Sequence, residues 1–150
     1  MFRVNTAVRL FKENPNLSKY IPEQSLDNAI VKYVKNNDTI QKIATRKDGV
    51  EVIGTFKNGK VVSTDIDSAK GNIHYDYTPD NKNLPENYQV NKTITITTAD
   101  GDKLVRNIKN NGQVHDILVT DRAPVKTGKF DSYFKELYQK ILNGDRVIDD

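Results

Sequence analysis

The chain has 150 residues and no cysteine, which excludes a disulfide framework, a cysteine-ligated zinc site and a thiol nucleophile. Its formal charge of +3 at pH 7 is uneven, because residues 1–47 hold nine Lys and Arg against four Asp and Glu. This length is typical of one domain, and a single α+β domain is expected over residues 1–150. A membrane-spanning helix needs about 18 consecutive apolar residues, and no segment of the sequence has them, so no membrane contact is expected. The expected location is the cytoplasm, with an excised domain of a secreted protein as the alternative.

Two helices are predicted before residue 37. Asn5 can cap a helix over residues 6–13, and Pro15 ends it because the residue before a proline avoids the α region. A second helix is predicted to begin at Pro22, since apolar residues follow it at helical spacing. These apolar positions are Leu26, Ala29, Ile30, Tyr33 and Val34. Asn36 and Asn37 are the expected end of this helix, because asparagine tolerates a left-handed cap.

A pattern in the middle of the chain occurs twice, at residues 43–66 and 96–119. Each copy has an apolar run, an Asp-Gly, an alternating run, an Asn-Gly and a third run. Asp-Gly and Asn-Gly between alternating runs are strong hairpin signals, because these tight turns need residues with positive φ. The sequence therefore predicts two three-stranded antiparallel meanders, with reversals near positions 48, 58, 100 and 111.

The complete fold prediction adds one strand between the meanders and a helix after them. Strands are expected at residues 39–46, 50–57, 60–66, 72–78, 89–98, 103–108 and 113–119. The polar segment 79–87 predicts a loop. Apolar residues at i, i+3 and i+4 from Phe130 to Leu142 predict a long helix that Asn143 ends. The predicted fold class is α+β, with a mainly antiparallel sheet of six to seven strands, two N-terminal helices and one long C-terminal helix packed on the sheet.

The first candidate site is an anion-binding segment between the last predicted strand and the final helix. It consists of Arg122, Lys126, Thr127, Gly128 and Lys129. Cations before a helix N-terminus favour an anion, because free amides and the helix dipole are directed there. The segment lacks the first glycine and the hydroxyl of a phosphate-binding P-loop, since Ala123 and Phe130 stand at those positions. The alternative is that Thr127 caps the helix and the lysines are merely solvated.

The second candidate is a pair of histidines, His74 and His115. Two imidazoles can act as acid and base in metal-independent RNA cleavage. His74 shares a predicted strand face with Asp76, but no third metal ligand is identifiable. The sequence therefore predicts no metal site and no cofactor. Catalysis by the two histidines is the alternative, and it requires both imidazoles to lie close together in one cleft.

The third candidate is a basic surface that nucleic acid could contact. Its residues are Lys32, Lys35, Lys42, Arg46 and Lys47. Tyr75 and Tyr77 could add a stacking platform beside basic residues of neighbouring strands, although a position under the final helix suits them better.

The predicted function is that of a small non-enzymatic binding or accessory protein with an anionic partner. The partner would be a nucleic acid, a nucleotide or an acidic protein surface, and the oligomeric state stays open. The 16 asparagines, with abundant Lys and Ile, are typical of a low-GC bacterium or its phage. Two alternatives are a metal-independent RNase of the toxin type and a structural or protein-interaction module.

Overall fold

The computed structural model describes residues 20–26, 29–81, 85, 89–120 and 123–143. Within these ranges, ten strands form one antiparallel sheet, in which each strand lies beside its neighbours in the sequence. The strands are β1 (Tyr20–Leu26), β2 (Ala29–Asn36), β3 (Thr39–Arg46), β4 (Glu51–Lys57), β5 (Lys60–Ser68), β6 (Gly71–Asp76), β7 (Val90–Thr98), β8 (Lys103–Lys109), β9 (Val114–Thr120) and β10 (Ala123–Gly128). One described helix, α1 (Asp131–Leu142), follows the sheet.

The predicted fold class is wrong in its strand number and in its N-terminal half. The two meanders are parts of a single sheet of ten strands, not of a sheet of six or seven. The second predicted helix is replaced by β1 and β2, while the first, at 6–13, lies outside the described residues. Only the C-terminal helix of the prediction is present in the described part of the chain.

The error at β2 has a physical cause. Its apolar residues fit a helical spacing, but they also fit the alternation of a strand. Val31 and Tyr33 are buried, and they alternate with Lys32 and Val34. β-Branched and aromatic side chains favour strands, and pairing with β3 along the full length of β2 decides the outcome. Asn37 does adopt a left-handed conformation, with φ of 56°, but it does so in the β2–β3 turn instead of at a helix end.

The four predicted reversals are confirmed. Gly49, Gly101 and Gly112 have φ of 89°, 101° and 86°, and each donates its N–H to the carbonyl of the residue three positions earlier. Asn58 and Gly59 form a two-residue turn with φ of 54° and 80°. Glycine or asparagine is needed at these positions because other residues are strained at positive φ. The turns therefore set the strand register that the sequence pattern implies.

The hydrophobic core lies on one side of the sheet, under α1, and we call this side the helix face. Its buried residues are Val50, Ile66, Ile73, Ile94, Ile96, Leu104, Leu137 and Ile141. Cross-strand pairs such as Ile66 with Ile73 and Ile96 with Leu104 place these side chains in rows beneath the helix. We call the other side the open face; it carries the alternating residues of the same strands, such as Asp65 and His74.

A buried ion pair fixes the beginning of α1. Arg106 donates to both carboxylate oxygens of Asp116 at 2.8 Å, and Asp116 also accepts the Phe130 N–H at 2.7 Å. Arg106 extends further to Asp131 at 2.8 Å, and its guanidinium lies 4.1 Å from the centroid of the Phe134 ring. This network sets the direction in which the chain leaves β10 and enters the helix, which positions Lys129.

Candidate anion-binding site

A pocket of about 550 Å³ lies at the end of the sheet, beside the β8–β9 turn. Its lining residues are Lys109, Asn111, Gly112, Gln113, Val114, His115 and Lys129. Three of them carry a side chain that is or can become cationic, and none carries a carboxylate. The pocket is shallow and broadly open to solvent, so a ligand there would be held by charge and hydrogen bonds instead of by enclosure.

The strand register explains why two lysines and His115 line the same pocket. His115 pairs with Asn107 across β8 and β9, on the open face. Lys109 lies on the same face, because it alternates with Ile108, which packs on the core. Gly128 pairs with Asp116, so Lys129 follows next to His115 in the segment that leads into α1.

The β8–β9 turn gives the pocket a defined wall. The Lys109 N–H donates to the Gln113 carbonyl at 2.9 Å, and the Gly112 N–H donates to the Lys109 carbonyl at 2.9 Å. Asn111 accepts the Gln113 N–H through its side chain, also at 2.9 Å. No atom lies within 4 Å of the place that a Cβ on Gly112 would take, so glycine is needed there for its φ and not for space.

The charge of Lys129 at the pocket is weakly compensated. Lys129 Nζ lies 3.6 Å from Asp131 Oδ2, and both side chains are more than half exposed. Such a pair contributes little, because water and salt screen it. Asp131 is also engaged by Arg106. An incoming anion therefore competes with only a weak partner for the Lys129 ammonium.

Only one member of the predicted anion-binding segment lines this pocket. Lys126, Thr127 and Gly128 belong to β10, and Arg122 lies outside the described residues. Lys126 pairs with Leu118, which packs against the core, so it is directed to the helix face, away from Lys129. The alternative that Thr127 caps the helix is wrong, because α1 begins at Asp131 and its cap position, Phe130, has no side-chain cap bond.

The structure does not bring the two histidines together. His74 lies in β6 and His115 in β9, with β7 and β8 between them. Three strand spacings amount to about 14 Å, which is too far for both imidazoles to act on one phosphate. His74 instead places Nδ1 2.7 Å from Asp65 Oδ1, on the adjacent strand β5. The acid–base pair that the RNase alternative requires is therefore not formed.

The basic residues of the predicted nucleic-acid surface are divided between the two faces of the sheet. Lys32 pairs with Ile43, whereas Lys35 pairs with Ile40 on the opposite face, together with Lys42. Arg46 forms an ion pair with Asp48 and donates to the Leu142 carbonyl at the end of α1, at 3.4 Å. Lys47 lies in the β3–β4 turn. A single ligand surface does not contain all five residues.

Tyr75 and Tyr77 lie on the helix face, as the sequence favoured over a stacking platform for nucleic acid. Tyr75 stacks with Tyr77 at a centroid distance of 6.1 Å, and its hydroxyl donates to that of Tyr138 in α1 at 3.2 Å. Burial, followed by this hydrogen bond, raises the pKa of Tyr75. Its ring therefore packs against the helix instead of offering a platform to a nucleotide base.

Comparison with known proteins adds no relationship. No family model matches the chain, and neither a curated protein nor a solved structure shows significant similarity to it. Across the described ranges, no three His, Asp or Glu side chains are arranged to hold a metal ion. Likewise, α1 is neither long nor apolar enough to cross a bilayer.

Sequence analysis missed most of the pocket residues. The Asn111–Gly112 reversal is a clear signal, but it marks a turn and not a ligand site. Lys109 and His115 share a face of the neighbouring strands β8 and β9, whereas Lys129 reaches them only because β10, which was not predicted as a strand, returns beside β9. Recognising residues 123–128 as a tenth strand would have placed Lys129 beside His115.

Proposed function

We propose that this protein is a non-enzymatic binding module whose anionic ligand occupies the β8–β9 pocket. One observation carries the proposal: Lys109, His115 and Lys129 come from three separate segments and line one concave site that has no carboxylate. Charged hydrogen bonds to an anion are stronger than neutral ones, and lysine is an effective point charge for this purpose. His115 can donate a hydrogen bond in either protonation state.

The proposal can be tested by NMR titration of the ¹⁵N-labelled protein with pyrophosphate and with citrate at pH 7. We expect the amide signals of Gly112, Gln113 and His115 to shift, because these residues form the pocket wall. Lys109→Gln and Lys129→Gln should each weaken binding about five- to tenfold, or about 1–1.4 kcal/mol, as each removes one charged contact at a partly exposed site.

A matched control uses the same substitution at another site. Lys135 is exposed on α1, so Lys135→Gln removes one charge without touching the pocket. We expect this variant to bind both anions like the wild type. Signal changes spread over the whole surface, or equal weakening by Lys135→Gln, would show unspecific attraction and contradict the proposal.

A further inference from the structure

We infer that the pocket takes a terminal phosphomonoester, either on a small molecule or at the end of a longer chain. This inference rests on the proposed function and names the chemical class of its ligand. A phosphomonoester carries about −1.5 to −2 charges at pH 7 and has three terminal oxygens. The pocket offers Lys109 from the end of β8, His115 from β9 and Lys129 from the segment before α1, so a compact, multiply charged group can contact all three.

The charges of the open face favour a compact ligand over an extended nucleic-acid strand. Acidic side chains of β4, β5 and β6 occupy the middle of this face. They are Glu51, Asp65, Asp67 and Asp76. Asp76 belongs to β6, three strands and about 14 Å from the strand of His115. The neutral pair of Thr93 and Asn107 lies between them, joined at 3.1 Å. A nucleic-acid strand that ran from the pocket toward β6 would therefore meet carboxylates.

The position of the aromatic rings supports the same conclusion. Proteins that bind single strands combine a basic groove with rings on which the bases stack. Among the described side chains of the sheet, the tyrosine and phenylalanine rings lie on the helix face, where Tyr75 donates to Tyr138 of α1. Apart from the imidazoles of His74 and His115, the described part of the open face offers no aromatic ring to a nucleotide base. Recognition on this face depends on charge, and a terminal phosphate carries more negative charge than an internal phosphodiester.

The test compares ligands that differ only in charge at the binding group. Phenyl phosphate and phenyl sulfate have similar shapes, but the sulfate carries a single negative charge. In the NMR titration at pH 7, we expect phenyl phosphate to bind at least about fivefold more tightly than phenyl sulfate. Lys129→Gln should remove most of this difference, and Lys135→Gln should leave it unchanged.

A second arm identifies the source of the phosphate. An oligonucleotide of about eight residues, within the span of single-strand sites, is titrated with a 5′-phosphate and with a 5′-hydroxyl. We expect the phosphorylated form to bind more tightly. If it exceeds phenyl phosphate, the source is a nucleic-acid end; if phenyl phosphate binds more tightly, the source is a small molecule.

The outcomes separate the inference from the proposed function. Equal binding of phenyl phosphate and phenyl sulfate would overturn the phosphomonoester class while leaving a general anion site. Equal binding of both oligonucleotides, above that of phenyl phosphate, would show that internal phosphodiesters suffice and would also overturn it. If no anion, including pyrophosphate and citrate, shifts the pocket amides, the proposed function itself fails.

Discussion

Asp116 is fully buried in β9, and three hydrogen bonds compensate for the cost of burying its charge. Two hydrogen bonds come from Arg106 and one from the Phe130 N–H. A buried carboxylate that kept fewer partners would be strongly unfavourable, because protein interiors solvate charge poorly. This side chain therefore couples β8 and β9 to the beginning of α1, and through it to the segment that carries Lys129.

We expect Asp116→Asn to lower the free energy of unfolding by about 3 kcal/mol, because it leaves the Arg106 charge poorly paired beneath the helix. Asp131→Asn is the matched control, since Asp131 also contacts Arg106 but is mostly exposed. Its cost should stay below about 1 kcal/mol. Urea unfolding followed by circular dichroism measures both variants. Equal losses would show that the buried carboxylate has no special role.

Acid should weaken the same anchor. Burial alone would raise the pKa of Asp116, but hydrogen bonds from Arg106 and the Phe130 amide outweigh it and hold this pKa below its ordinary value. A carboxyl group with a lowered folded-state pKa contributes stability that is complete above the unfolded value, about 3.9, and is lost as the pH falls through the folded value. We expect the unfolding free energy to fall below about pH 4, and to fall less in Asp116→Asn. Parallel pH profiles of the two proteins would refute this.

The β5–β6 hairpin depends on a glycine that has no room for a side chain. Gly71 has φ of 144°, and a Cβ there would lie 2.1 Å from the Thr97 carbonyl oxygen on β7. The contact is with backbone, so it cannot be relieved by a side-chain rotation. This turn brings β6 close to β7, beside the core residues Ile73 and Ile96.

We expect Gly71→Ala to destabilise the protein by about 2–4 kcal/mol, since it adds a clash to a strained φ. Gly112→Ala is a useful comparison, because φ there is also positive while the space is open. Its cost should be about 1 kcal/mol, from backbone strain alone. Thermal unfolding ranks the two variants. A larger loss of stability for Gly112→Ala than for Gly71→Ala would contradict the importance of the close approach between Gly71 and Thr97.

The elements that sequence could predict are those with a local signal. The reversals at Gly49, Gly59, Gly101 and Gly112 follow from the need for positive φ, and α1 follows from a continuous apolar stripe. β2 has both a helical spacing and an alternation, and only its partner β3 resolves the ambiguity. Of the pocket residues, sequence analysis assigned only Lys129 to an anion site, because its approach to Lys109 and His115 follows from strand register and not from sequence proximity.

Within the part of the chain that the structure describes, β10 is the last strand of the sheet, and its composition protects this edge. Pro124 lacks a backbone N–H, Lys126 is exposed, and the register shifts between Ala123 and Lys126. Proline, lysine and bulges are features that natural edge strands use against pairing with other chains. Val125 is 59% exposed in the same strand and would favour association if these features were absent.

We expect the double variant Pro124→Val and Lys126→Val to self-associate, because it turns β10 into a regular apolar edge. Analytical ultracentrifugation over a range of concentrations should show larger species than in the wild type. Lys135→Val on α1 is the control, since it removes a charge away from the edge. If both variants sediment like the wild type, edge protection does not reside in β10.

The pairing of every strand with its sequence neighbours has a consequence for how such a protein folds and diverges. Strand contacts of this kind close short loops, so the sheet can grow by adding one hairpin at a time to a structured end. Gain or loss of a hairpin therefore lengthens or shortens the sheet without changing how the other strands are connected. The architecture thus permits duplication as a route to new strands, and the weakly matching segments 43–66 and 96–119 are compatible with such an origin.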